Sequence, residues 1–149
     1  MGDHAARAGD LFQEGYNCAQ SVFCAFCEET GLPVDEAARM ASSFGGGMGR
    51  MREVCGAVSG ALLVLGMQKG YSVPGDDEAK RKHYLLVQEF ARRFREKNRT
   101  IICRELLEGV EVVPGNTPEK RTEAFYERRP CLRLIRDAAQ ITEEMLSEA

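Results

Sequence analysis

Cysteine is the residue type in this sequence that could do chemistry. Six of them, Cys18, Cys24, Cys27, Cys55, Cys103 and Cys131, occur in 149 residues. A thiolate is both a nucleophile and a soft metal ligand, so redox exchange and metal ligation are open to them. The third use of a cysteine is as a small buried side chain. Three of the six stand where helices are expected to begin. Cys55 falls early in a helical pattern that starts near Arg50. Cys103 follows Thr100, which reads as an N-cap, and Cys131 follows Arg129-Pro130, with proline in the first turn. The positive end of a helix favours thiolate over thiol. Arg52, Arg104 and the Arg128-Arg129 pair lie near these cysteines in sequence and add to the effect. Cys24 and Cys27 form a C-x-x-C pair near a helix end, ahead of Thr30-Gly31-Leu32-Pro33. A redox pair prefers a helix start, so packing is the expected role there.

The elements that must position these thiols read as helices. Asp3 to Glu29 reads as one long helix, with Leu11, Gly15, Cys18, Val22 and Ala25 on its stripe. Asp35 caps a short second helix through about Ser43. Gly45 to Gly49 (GGGMG) forms a glycine loop. It lacks the Lys and Ser/Thr of a P-loop and no strand precedes it, so a tight turn is expected rather than a phosphate cradle. In the central helix Gly56 and Gly60 fall on one face, widened by Ala57 and Ala61. That bare groove implies close approach, either of another helix or of a second cysteine or cofactor brought up to Cys55. Gly66, Gly70 and Pro74-Gly75 close this helix.

Asp76 caps a fourth helix to about Lys97, with Tyr84, Val87, Ala91 and Phe94 as its buried stripe. A fifth helix runs from Thr100 to Gly109. Val110 to Asn116 is an extended connection, Thr117-Pro118-Glu119 starts a further helix, and Cys131 opens the last. No convincing strand or repeat is present. The fold class is all-α, a compact bundle of about six or seven helices in one domain spanning 1–149.

With 23 acidic and 20 basic residues the net charge is −3, which gives no global push toward nucleic acid or membrane. Residues 80–99 are locally basic, a surface for an acidic partner or a solvated face. The N-terminus carries no signal-peptide pattern, and Gly2 lacks the context for lipidation. A cytoplasmic, reducing location is expected. No C-x-x-C-H haem motif and no paired C-x-x-C zinc ribbon occurs, and His4 and His83 sit near no cysteine.

Cys18 in GYNCAQSV, Cys55-Gly56-Ala57-Val58-Ser59-Gly60, Cys103 in CRELL and the late Cys131, with FGGGMG ahead of the second, resemble the C_GCAxxG_C_C family of redox-active proteins. The resemblance covers roughly Ala8 to Ala138. It implies a small helical protein that uses these four cysteines and leaves Cys24 and Cys27 aside. A related domain in split-Soret cytochromes holds an iron–sulfur cluster beside haem, and some members are named selenoproteins. The resemblance thus implies a redox or electron-transfer protein. The four thiols serve either as reversible disulfides or as ligands of an iron–sulfur centre of the two-iron type, and zinc suits the same ligand set. They stand too far apart in sequence for a ferredoxin-type loop and must converge from different helices. Cys55 and Cys103 are the expected reactive thiols, with Cys18 and Cys131 as partners or further ligands. The alternative is a non-catalytic binding or assembly protein, with the basic helix as contact surface and structural cysteines. The redox partner is not specified by the residues. Neither a membrane nor nucleic acid is expected as a partner, and a homodimer enters only as the commonest assembly.

Overall fold

A computed structural model describes residues 3–112 and 114–148. Gly2 and Val113 therefore lie outside the described residues. The chain is all-α, and among the described residues the only β-type pairing is one antiparallel bridge between Val54 and Ile102. In chain order the helices are α1 (His4–Gln13), α2 (Cys18–Cys24), α3 (Cys27–Thr30), α4 (Val34–Ala41), α5 (Gly45–Met48), α6 (Gly56–Lys69), α7 (Asp77–Asn98), α8 (Cys103–Leu106), α9 (Glu123–Arg128) and α10 (Cys131–Ser147). A short 3-10 turn, Ser42–Phe44, joins α4 to α5. No helix of the described residues is long and apolar enough to cross a membrane.

The expected first helix is in fact three. Gly15 takes φ 114°, outside the helical region, and the chain restarts at Asn17. The Asn17 side chain accepts from Gln20 N, and Gln20 Oε1 accepts from Asn17 N, both at 2.9 Å. This reciprocal capping box satisfies two donors that a helix start leaves open. Cys18 is consequently the first residue of α2 rather than the middle of a long helix.

Other boundaries shift for similar local reasons. Val34 opens α4 behind Pro33, so Asp35 lies in its first turn and is not its cap. Thr122 rather than Thr117 caps the helix that carries Phe125 and Tyr126. Asp76 does cap α7, accepting from Ala79 N. In α7, however, only Phe90, Phe94 and Asn98 are buried. Tyr84 is about half exposed and meets Tyr71 edge-on rather than the core. The basic residues of α7 are partly neutralised within the chain. Arg92 bonds Glu89 and Glu96, and Arg93 bonds Glu89 and Glu148.

The core lies where α1, α2, α6, α7 and α10 meet. Phe23, Phe26, Phe90 and Phe94 are fully buried in it. Each such side chain contributes roughly 1.5–3 kcal/mol of apolar burial. The tightest seam is α2 against α6. A Cβ on Gly60 would lie 2.5 Å from Ala19 O, and one on Gly56 would lie 3.1 Å from the Cys18 Cβ. Both expected partners of the bare groove are therefore present, a packing helix and a second cysteine at its tip.

At the far end of the bundle His4 ties α1 to α3 and α10. Its Nδ1 lies 2.5 Å from Glu143 and its Nε2 lies 2.8 Å from Glu29, while the ring stacks on Phe26 at 4.1 Å. Burial alone would lower its pKa, but the two carboxylates outweigh burial and hold it above the ordinary 6.5. A raised folded-state pKa stabilises the fold below the unfolded value and loses that contribution as pH rises through the folded one. Unfolding free energy is therefore expected to fall as pH climbs upward from 6.5. Denaturant titrations of the wild type and His4→Gln across that range check this; a slope that survives in His4→Gln would count against it.

Candidate functional site

Four helix starts converge on one cavity. Cys18, Cys103 and Cys131 are the first residues of α2, α8 and α10, and Cys55 is the N-cap of α6. All four line a cavity of about 410 Å³. Cys103 and Cys131 thus begin helices as expected, although Ile102 rather than Thr100 is the N-cap of α8; Cys55 stands just ahead of its helix rather than inside one begun near Arg50, and Cys18 begins a helix where none was expected to start. Cys24 and Cys27 are absent from the cavity lining; Cys24 is buried and its thiol points to Val34 O at 3.7 Å.

Backbone pairing explains why cysteines so distant in sequence meet. The central helix starts at Gly56, and the stretch before it is extended rather than helical. Cys55 N donates to Ile101 O at 2.8 Å, and Cys103 N donates to Glu53 O at 2.6 Å. Around the Val54–Ile102 bridge the two strand-like segments lay Cys55 and Cys103 side by side. The glycine loop makes room for them. Gly46 and Gly47 take φ 66° and 73°, which turns the chain tightly, and a Cβ on Gly47 would sit 2.7 Å from the Cys103 Cβ. Arg50 and Arg52 also hold left-handed conformations, at φ 65° and 61°. Such backbone is uncommon outside glycine and costs on the order of 1–3 kcal/mol per residue. It brings Arg52 Nη1 to 3.9 Å from the Cys103 sulfur, not to Cys55, its neighbour in sequence.

The thiols are not equivalent. The Cys18 and Cys131 thiols act on each other, and the Cys131 sulfur together with burial drives Cys18 well above the ordinary thiol value. The Cys18 thiol draws Cys131 down to about 7, against the opposing effect of burial and with help from the Arg129 charge. Burial pushes Cys55 up to about 12, although the N–H groups of Ala57 and Val58 oppose it. Burial also raises Cys103, less the pull of Arg52. Cys55 and Cys103, the expected reactive thiols, are both raised, as Cys18 is, and Cys131 alone is lowered. The reason is that the Cys18 thiol and a cation act on Cys131, whereas Cys55 is buried to 5 % exposure with only backbone N–H groups to offset it.

The wall of the cavity adds residues that sequence reasoning passed over. Arg50, Arg121 and Glu119 line it together with Arg52 and Arg129. No local sequence signal marks Arg121, which reaches in from a connection to bond Phe12 O and Tyr16 O. Asn17 was legible, since Asn-x-x-Gln ahead of an apolar run is a helix-start signature.

The donor types suit a soft metal, but their arrangement does not. Among the described residues no three Cys, His, Asp or Glu side chains are gathered as a metal site. Cys18 and Cys131 are engaged with each other and Cys103 faces Arg52. As placed, the four thiols do not fit an iron–sulfur cluster or a zinc ion.

The family model described as "Putative redox-active protein (C_GCAxxG_C_C)" matches residues 16–145. The chain belongs to that family. No curated protein and no solved structure matches it.

Proposed function

As a member of the C_GCAxxG_C_C family this chain, we propose, is a cytoplasmic thiol redox protein whose couple is Cys18 and Cys131. The observation that carries the reading is that Cys18 and Cys131, the first residues of α2 and α10, line one cavity close enough to shift each other's ionisation in opposite senses. Cys131 is the attacking group. Its pKa of about 7 lies near ambient pH, where thiolate fraction and nucleophilicity are best balanced. It attacks one sulfur of an incoming disulfide and expels the other as thiolate. Cys18 then loses its proton and attacks the Cys131 sulfur of the mixed disulfide. The products are a Cys18–Cys131 disulfide and the reduced incoming compound, a two-electron exchange. Cys55 and Cys103 stand in the same cavity as thiols to which the bond can pass.

Counting thiols in the unfolded protein tests this. All six cysteines are free in the reduced state. After mild oxidation by a disulfide reagent the count is expected to drop by two, with the bond mapped to Cys18 and Cys131. Cys24→Ser is expected to lose the same two thiols, and Cys131→Ser none by this route. A count that stays at six, or a bond between Cys24 and Cys27 alone, would sink the reading. A second reading rests on one observation, that four thiols line a single cavity. In it they rearrange around an iron–sulfur centre or zinc. Iron, zinc and sulfide analysis of anaerobically purified protein separates the two.

A further inference from the structure

The cavity carries more positive charge than its thiols call for. Arg50, Arg52, Arg121 and Arg129 line it, and Glu119 is the only carboxylate among its described lining residues. Glu119 is already shared, bonding Arg128 and Arg129 and lying 3.8 Å from Arg50. Arg52 has no carboxylate partner among the described residues; its contact is the Cys103 sulfur. Arg121 gives its donors to backbone carbonyls and lies over the Phe12 and Phe125 rings, at 4.4 and 5.5 Å. Burial and then the Arg52 and Arg129 charges lower the pKa of Arg50, so these cations are within range of one another. The Arg129 side chain is only 5 % exposed, and its Nε is buried without a hydrogen-bond partner. Native structures rarely leave a buried donor unmet unless a ligand or water completes it. One Cys131 thiolate and the Glu119 carboxylate together do not balance four arginines.

We propose that the cavity takes a small disulfide carrying carboxylates, with its S–S bond held against Cys131. The proposal rests on the dithiol reading above and names the substrate class of that site. The arginines bind the carboxylates, and Phe125 and Leu134 provide apolar wall for the methylenes between carboxylate and sulfur. In the exchange Cys131 forms a bond to one ligand sulfur and the ligand's S–S bond breaks. The leaving thiolate takes up a proton. Attack by Cys18 on Cys131 then releases the second half as thiolate. The ligand gains two electrons and the protein pair loses them, so one turnover needs no further reagent.

The test mixes reduced protein with three disulfides of similar length in a single turnover. They are dithiodipropionate, a dianion; hydroxyethyl disulfide, neutral; and cystamine, a dication. Each rate is divided by that of the same disulfide with mercaptoethanol, which removes intrinsic reactivity. At low salt the dianion is expected to lead the neutral compound by about tenfold and the dication by about a hundredfold, and high salt to compress both ratios. Arg52→Gln is expected to cut the dianion's lead by about threefold or more, as loss of one of several steering charges would. Binding is read separately with suberate, the carbon analogue of the dianion, against octanediol. The readout is the melting temperature of Cys131→Ser protein, in which the exchange is disabled. Suberate is expected to raise it and octanediol to leave it unchanged. Equal normalised rates for the three disulfides, or no shift with suberate, would overturn the anionic ligand and leave the thiol couple standing. Suberate binding with no reaction from any disulfide would instead overturn the exchange chemistry.

Discussion

Ultraviolet titration of the reduced protein is expected to show one thiolate forming near pH 7, and Cys131→Ser to abolish it. Cys131 is the only cysteine of the six drawn down, to about 7. Cys55 sits at about 12 and the others are raised, so the wave is isolated from the rest. The Cys18 thiol is the largest cause of the shift, which gives a second arm. Cys18→Ala removes that thiol and lets burial win. If Cys131 then returns to an ordinary value near 9, its thiolate fraction at pH 7 drops about fiftyfold, while its nucleophilicity recovers by about six- to tenfold. Alkylation of Cys131 at pH 7 is thus expected to slow by at least about fivefold. A wave that survives Cys131→Ser unchanged, or a Cys18→Ala protein alkylated at the wild-type rate, would refute the assignment.

Gly60→Ala and Gly66→Ala are expected to move stability in opposite directions, though both lie in α6. Helix propensity favours alanine over glycine by about 1 kcal/mol at either position. At Gly66 nothing lies within 4 Å of the added Cβ, so that gain is kept. At Gly60 the Cβ meets the backbone of Ala19, with the carbonyl oxygen at 2.5 Å and Cα at 3.1 Å. Backbone cannot step aside as a flexible side chain can. Overpacking of this kind typically costs about 1–3 kcal/mol and occasionally more. Set against the propensity gain, a net loss of about 1–2 kcal/mol would lower the melting temperature by roughly 2–8 °C in a chain of this size. Forcing α2 away from α6 also displaces Cys18 from Cys131, so the thiolate wave of Gly60→Ala is expected to move upward. A Gly60→Ala protein as stable as Gly66→Ala would show that the seam is looser than these distances imply.

What the residues disclosed in advance follows from what is local. The Gly56–Gly60 face and the Asp76 cap each depend on a few neighbouring side chains, and Pro130 marks the start of α10, whereas the Thr100 cap expected for Cys103 is replaced by Ile102 with no side-chain cap. Cys18 was misplaced although its signal was local, because an apolar stripe continuous from Leu11 to Ala25 masked the Asn17–Gln20 box. The run-up to Cys55 was not legible. It is held extended by bonds to Ile101 and Cys103, about fifty residues away, and by left-handed backbone at two arginines that no propensity favours there. The lowering of Cys131 alone was hidden for the same reason. It depends on which sulfur faces which, and that contact joins the two ends of the chain.

That contact has a consequence for the chain once it unfolds. A covalent link between α2 and α10 would close a ring of roughly a hundred residues in the denatured ensemble, and in the chain-entropy model a ring of that size favours the native state by on the order of 5 kcal/mol. Oxidation would therefore act as a clasp on the whole molecule. By thermodynamic reciprocity the folded chain would in turn resist reduction of the bond more than the unfolded chain does. The reduced form is then the more fragile of the two, so a cell that drains electrons from this protein would also lengthen its survival against heat and proteolysis.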